Sequence, residues 1–176
     1  MTITKLKIRL YGDPCLRKKS TPLKEVEASE RLLIQSMIET MYEHKGIGLA
    51  APQVGINQRI FVADIGHGPV VVINPSIVKK SGLVVLEEGC LSIPGIMVKI
   101  KRPEKILVKY FDENNRCAEE AYEELMARVF LHETDHLDGR LIIDYVSLKE
   151  RLKLKKQLKG MEHYTKEESL KDLGPM

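Results

Sequence analysis

Apolar residues recur along this chain at two different periods, and the change from one to the other divides it into elements. Leu33, Ile34, Met37, Ile38 and Met41 fall at helical spacing, predicting a helix capped in the Glu27 to Ser29 region and ending near Gly46. Ahead of it, Gly12-Asp13-Pro14 marks a turn. The period then shortens. Runs rich in Val and Ile at 59–65, 70–73, 77–86, 96–100 and 106–111 are separated by Gly, Pro and Asn, which is the pattern of strands. No segment between them is long enough for the helical crossover that parallel strands need, so mainly antiparallel pairing is expected. At 117–124, Glu119, Glu120, Glu123 and Glu124 suit a helix, but the strand-like alternation there is read as a final strand.

From Leu125 the apolar positions Leu125, Val129, Leu131 and Leu137 return to helical spacing and stop at Gly139, a natural left-handed residue after a helix. Another helix begins at Ser147, where Ser147 and Glu150 match a capping box. The expected fold class is therefore α+β. Mainly antiparallel strands pack around the central helix that starts at 125, with one helix near the N-terminus and one at the C-terminus.

Composition narrows the setting. With 176 residues, 43% of them hydrophobic, and no repeat or linker-like tract, the whole chain 1–176 reads as a single domain with one core. Apolar runs are strand-sized, well short of the roughly 18 residues a membrane span needs. Lys5, Lys7 and Arg9 interrupt the N-terminal apolar stretch, so no signal-peptide core is expected. Cys15, Cys90 and Cys117 are odd in number and sparse, which fits a reducing cytoplasm. A net charge of +3 does not point to DNA as a partner. It conceals a cationic stretch, however: Lys149, Arg151, Lys153, Lys155, Lys156 and Lys159 stand against the single acid Glu150.

Candidate chemistry lies on the central helix. His132-Glu133-Thr134-Asp135-His136 is an HExxH pattern, and imidazoles four residues apart leave one face of a helix, able to grip one ion. A catalytic centre needs a third protein ligand and an open position for water. Cys90, in Glu88-Gly89-Cys90-Leu91-Ser92, is the best candidate, with a small buried hydrophobe as the other reading of that thiol. Glu133 would be a general base and then a general acid, or else a solvated helix carboxylate. The residues alone leave open a zinc peptidase and a structural metal domain that binds ribosomes. His44, His67 and His163 lack partner spacing and read as surface or capping residues.

Three segments taken together, 46–53 (GIGLAAPQ), 88–92 (EGCLS) and 132–139 (HETDHLDG), resemble peptide deformylase. They occur in the family's order, and the flanking segments have suitable lengths. The resemblance implies the α+β deformylase fold and one divalent ion held by Cys90, His132 and His136. That ion would be Fe(2+) natively, replaceable by Zn(2+), Ni(2+) or Co(2+). It implies removal of the N-terminal formyl group from the formylmethionine of nascent polypeptides, in the bacterial cytoplasm, by attack of metal-bound hydroxide. Glu133 would shuttle the proton, while the Gln53 amide and the backbone N–H of Leu91 stabilise the oxyanion. Gly46, Gly48 and Gly89 would allow close backbone approach to the substrate, and Ile47, Leu86, Leu125 and Val129 would wall the methionine pocket. It further suggests ribosome docking through the basic helix 147–159. The chain departs from the family at Leu131, where Gln is common, and after Pro94, where a basic residue is absent or displaced to Lys99.

Overall fold

The structure, a computed structural model, describes residues 6–172. Lys5 and the side chain of His163 lie outside the described residues. Helix α1 (Ala28–Glu43) begins with a reciprocal cap between Glu27 and Glu30. Strands β1 (Gly48–Ala50), β2 (Ile60–Ala63), β3 (Val70–Ser81), β6 (Lys105–Phe111) and β7 (Cys117–Glu123) form an antiparallel sheet in the order β1-β2-β3-β6-β7. Strands β4 (Val84–Glu88) and β5 (Val98–Arg102) make a separate antiparallel ribbon. Helices α2 (Glu124–Leu137) and α3 (Leu148–Asp172) complete the order.

The large sheet is covered on both faces, and β2 shows why. All four of its residues are buried: Ile60 and Val62 pack with Met37 and Met41 of α1, whereas Phe61 and Ala63 pack with Phe130 and Leu131 of α2. Side chains alternate across a strand, so one apolar run serves two layers. Phe130 anchors α2, meeting Phe61 edge-on at 5.1 Å and stacking on Tyr122 at 4.3 Å between ring centroids. Gly139 takes the expected left-handed turn after α2, at φ +73°, and a Cβ there would sit 2.6 Å from the Arg17 carbonyl. A third apolar cluster joins the ribbon to the C-terminal region through Ile93, Ile100, Leu141 and Ile143. Leu158 completes it, with Leu154 and Met161 at the matching helical spacing, so α3 docks by one stripe. Ser147 and Glu150 cap that helix reciprocally, as the sequence suggests.

Several boundaries differ from the sequence-based expectation. The runs at 70–73 and 77–81 are one strand, carried through Asn74, which adopts φ +52° beside a register shift. Residues 84–88 do not continue it: the chain turns at Gly82 and enters the ribbon, so the expected strand 77–86 is divided between two sheets. The run at 96–100 begins at Val98, after the Pro94-Gly95 turn. Helix α1 ends at Glu43 rather than near Gly46, with Lys45 in the left-handed position at φ +54°. Strand β1, in the segment that follows, is too short and glycine-rich to show a period.

Candidate metal centre and catalytic cavity

Helix α2 is amphipathic in an unusual sense. Ala127, Phe130 and Leu137 face the sheet, while Leu125, Arg128, Val129, His132 and Glu133 line a cavity of about 440 Å³. The opposite wall comes from Lys45, Gly46, Ile47, Gly48 and Gln53 around β1, and from Glu87, Glu88, Gly89, Cys90 and Leu91 at the end of β4. Of the residues expected around the substrate, Gly46, Ile47, Gly48, Gly89, Leu125 and Val129 line this cavity. Leu86 does not: it is exposed, in the stretch 85–87 of β4 that precedes the buried Glu88.

At the base of the cavity, ligand atoms of Cys90, His132 and His136 all lie within 4.8 Å of one another. Cys90 Sγ is 3.2 Å from His136 Nε2. His132 Nδ1 meets Glu88 Oε2 at 3.0 Å, which leaves Nε2 as the nitrogen available to an ion. One thiolate and two imidazoles within reach of one point, with a cavity above them, fit a divalent first-row ion with an open coordination position.

Glu133 is buried, and its Oε2 finds no hydrogen-bond partner among the described residues. Burial pushes its carboxyl up to about 7, against the lowering influence of His132 and Arg102. Gly48 makes room for it: a Cβ at that position would lie 2.3 Å from Glu133 Oε1 and 2.9 Å from Val129. Gln53 is fixed in orientation because its Oε1 accepts from Ala50 N at 2.8 Å. Its Nε2 is thereby turned toward Cys90 Sγ and Ser92 Oγ, at 3.6 and 3.3 Å.

Sequence reading missed the ionic scaffold beneath these groups. Glu88, 6% exposed, accepts from Arg102, Arg128 and His132. Burial alone would raise its carboxyl, but the hydrogen bonds from His132 and Arg102 and the Arg102 charge hold it down to about 2. Arg102 also bonds Asp135, and Arg128 bonds the carbonyls of Ile100 and Val84. The available signal lay in β5, which alternates buried and exposed and places the charged Arg102 on a buried position; β4 has no such alternation around Glu88.

Residues outside the site are also settled by their contacts. Leu131 is buried against the sheet with Phe61 and Ala63, so the departure from Gln falls in the apolar core and not among the metal ligands. Lys99 pairs across the ribbon with Glu87 and is exposed, and Met97 lines the cavity in its vicinity. Cys15 donates to the Pro52 carbonyl, and burial together with Asp13 pushes its thiol up to about 12.

The family model described as polypeptide deformylase matches residues 5–152. The peptide deformylase of Thermotoga maritima is 52% identical over 153 residues, covering 86% of this chain and 93% of the relative. Among solved structures, the peptide deformylase of Thermus thermophilus is similar with a TM-score of 0.85 and 43% identity, over 90% of this chain and 98% of that one. That of Synechococcus elongatus, in complex with actinonin, gives 0.82 and 39% identity, over 89% and 91%.

Proposed function

Since the chain belongs to the polypeptide deformylase family, a family of metal-dependent hydrolases that free nascent polypeptides of their N-terminal formyl group, we propose that its cavity performs that reaction with Glu133 as the proton carrier. Cys90, His132 and His136 are the proposed ligands of one divalent ion. When bound, the ion supplies Lewis acidity that polarises the formyl carbonyl and eases deprotonation of the attacking water. Fe(2+) is the proposed native metal, with Zn(2+), Ni(2+) or Co(2+) able to replace it, since a thiolate and two imidazoles accept several first-row ions.

The observation that carries this reading is the buried Glu133, whose Oε2 has no hydrogen-bond partner among the described residues, in the cavity that Cys90 and His132 also line. Its Oε2 takes the proton from the attacking water as the new C–O bond forms. The same atom then returns the proton to the amine nitrogen as the C–N bond breaks, leaving formate and a free methionyl amine. Negative charge that builds on the formyl oxygen is met by Gln53 Nε2, pre-aimed by the Ala50 hydrogen bond, and by the backbone N–H of Leu91. The methionine side chain enters the apolar part of the cavity, where Ile47, Leu125 and Val129 offer the walls. Strands β1 and β4 each lie at the end of their sheet and contribute Gly48, Glu87 and Glu88 to the cavity lining, a placement that suits an extended peptide.

Two further readings concern the setting. Sparse cysteines and bacterial relatives support a bacterial cytoplasmic enzyme, and no helix among the described residues is long and apolar enough to cross a membrane. The exposed basic residues of α3 support docking on ribosomal RNA, and that helix runs 20 residues beyond the matched region, from 153 to 172.

Formate release separates this function from general peptidase activity. Formyl-Met-Ala-Ser is expected to yield formate and a free amine, whereas acetyl-Met-Ala-Ser and the internal peptide bonds stay intact. Cleavage of the acetylated peptide at a similar rate would overturn the assignment.

A further inference from the structure

The two histidines of the metal centre are braced in different ways. His132 Nδ1 meets Glu88 Oε2 at 3.0 Å, the outer-shell arrangement that fixes tautomer and ring orientation. His136 Nδ1 is buried and has no hydrogen-bond partner among the described residues, so its ring carries no such brace. Its neighbour in the chain does. Asp135 Oδ2 accepts from Arg102 Nη1 and from the Tyr145 hydroxyl, each at 2.7 Å. The same guanidinium grips Glu88 through Nε and Nη2, at 2.6 and 2.9 Å. The Arg102 side chain is 5% exposed, and its guanidinium lies over the Tyr145 ring, 4.8 Å from the centroid.

Resting on the ligand assignment above, we propose that Arg102 is a positioning residue for the metal centre. Its planar fork ties Glu88, which orients His132, to Asp135, which holds the helical turn carrying His136. Tyr145 closes the outer side of the clamp. A guanidinium suits this role because it offers three donors in fixed directions, two for one carboxylate and one for the other. A lysine ammonium keeps the charge and loses that geometry. Charge and geometry also act in opposite directions here. A buried cation near a divalent ion disfavours metal binding, so a purely electrostatic Arg102 would weaken the site, whereas a positioning Arg102 strengthens it.

Cobalt(II) titration of the metal-free, full-length protein tests the proposal without using turnover. Binding is followed by the thiolate-to-cobalt charge-transfer band and by the ligand-field bands, which report coordination geometry. Arg102→Lys, folded by circular dichroism, is expected to bind cobalt roughly tenfold to a hundredfold more weakly than the parent, with altered ligand-field bands. Tyr145→Phe keeps the ring beneath Arg102 and removes one hydrogen bond, and its affinity is expected to fall roughly threefold. Should Arg102→Lys fail to fold, Tyr145→Phe decides alone: weaker binding supports the clamp, and parental affinity overturns it. Parental or tighter binding by a folded Arg102→Lys also overturns it. A parent that binds cobalt without the thiolate band would instead overturn the assignment of Cys90, and the clamp with it.

Discussion

Glu133 and Gly48 act as one unit at the floor of the cavity. The carboxyl group is buried, its Oε2 has no hydrogen-bond partner among the described residues, and it fits only because residue 48 has no side chain. Gly48→Ala would bring a methyl group to 2.3 Å from Glu133 Oε1, while pairing of Gly48 with Ala63 holds the backbone in place. Turnover is therefore expected to fall on the order of a hundredfold as Glu133 is displaced, and stability to fall by about 1–3 kcal/mol. Steady-state kinetics on the metal-replete variant, with thermal melting, checks both, and parental turnover would contradict the packing account. Glu88 gives a pH signature. Its carboxyl is held at about 2 in the folded protein against an ordinary value of 4.5, so its stabilising contribution is complete above pH 4.5 and is lost as pH falls through about 2. Urea unfolding of the metal-free protein between pH 5 and 2 should show a shallower loss of stability in Glu88→Gln than in the parent. Equal slopes would contradict the assigned ion pairing.

At the scale of elements, legibility followed periodicity. The apolar stripes of α1 and α2, the end of α2 at Gly139 and the cap of α3 at Ser147 are local patterns, and each is where the sequence points. His132 and His136 share one face of α2 as well, because four-residue spacing on a helix fixes it. The scaffold under them was hidden, because Glu88, Arg102, Arg128 and Asp135 come from three elements and their pairing leaves no period in the chain. Leu86, expected at the pocket, is exposed in a ribbon that starts after a turn at Gly82 that hydrophobicity does not mark. Helix α3 combines a docked stripe, centred on Leu158, with exposed Lys153, Lys155, Lys156 and Lys159. Deleting it would uncover the third apolar cluster, so charge reversal is the cleaner perturbation. Replacing those four lysines with glutamate should sharply reduce co-sedimentation with ribosomes and leave turnover of a short formyl-Met peptide unchanged. Undiminished co-sedimentation would contradict docking through α3.

Over the whole molecule, three apolar clusters position one reactive centre. The cluster between α2 and the sheet sets the helix that carries both histidines and Glu133. The cluster beneath α1 holds β1 and Gln53 against it, and the cluster behind the ribbon seats Cys90. Only their joint packing brings β1, the end of β4 and α2 around one cavity, which explains why sequence-remote segments share its chemistry. The most direct measurement compares formate release from formyl-Met-Ala-Ser by the parent and by Glu133→Gln, with metal content determined on the same samples. The parent should turn over, and the variant should retain its metal while losing on the order of a hundredfold to ten-thousandfold in kcat. Parental turnover by a metal-loaded Glu133→Gln would contradict the account.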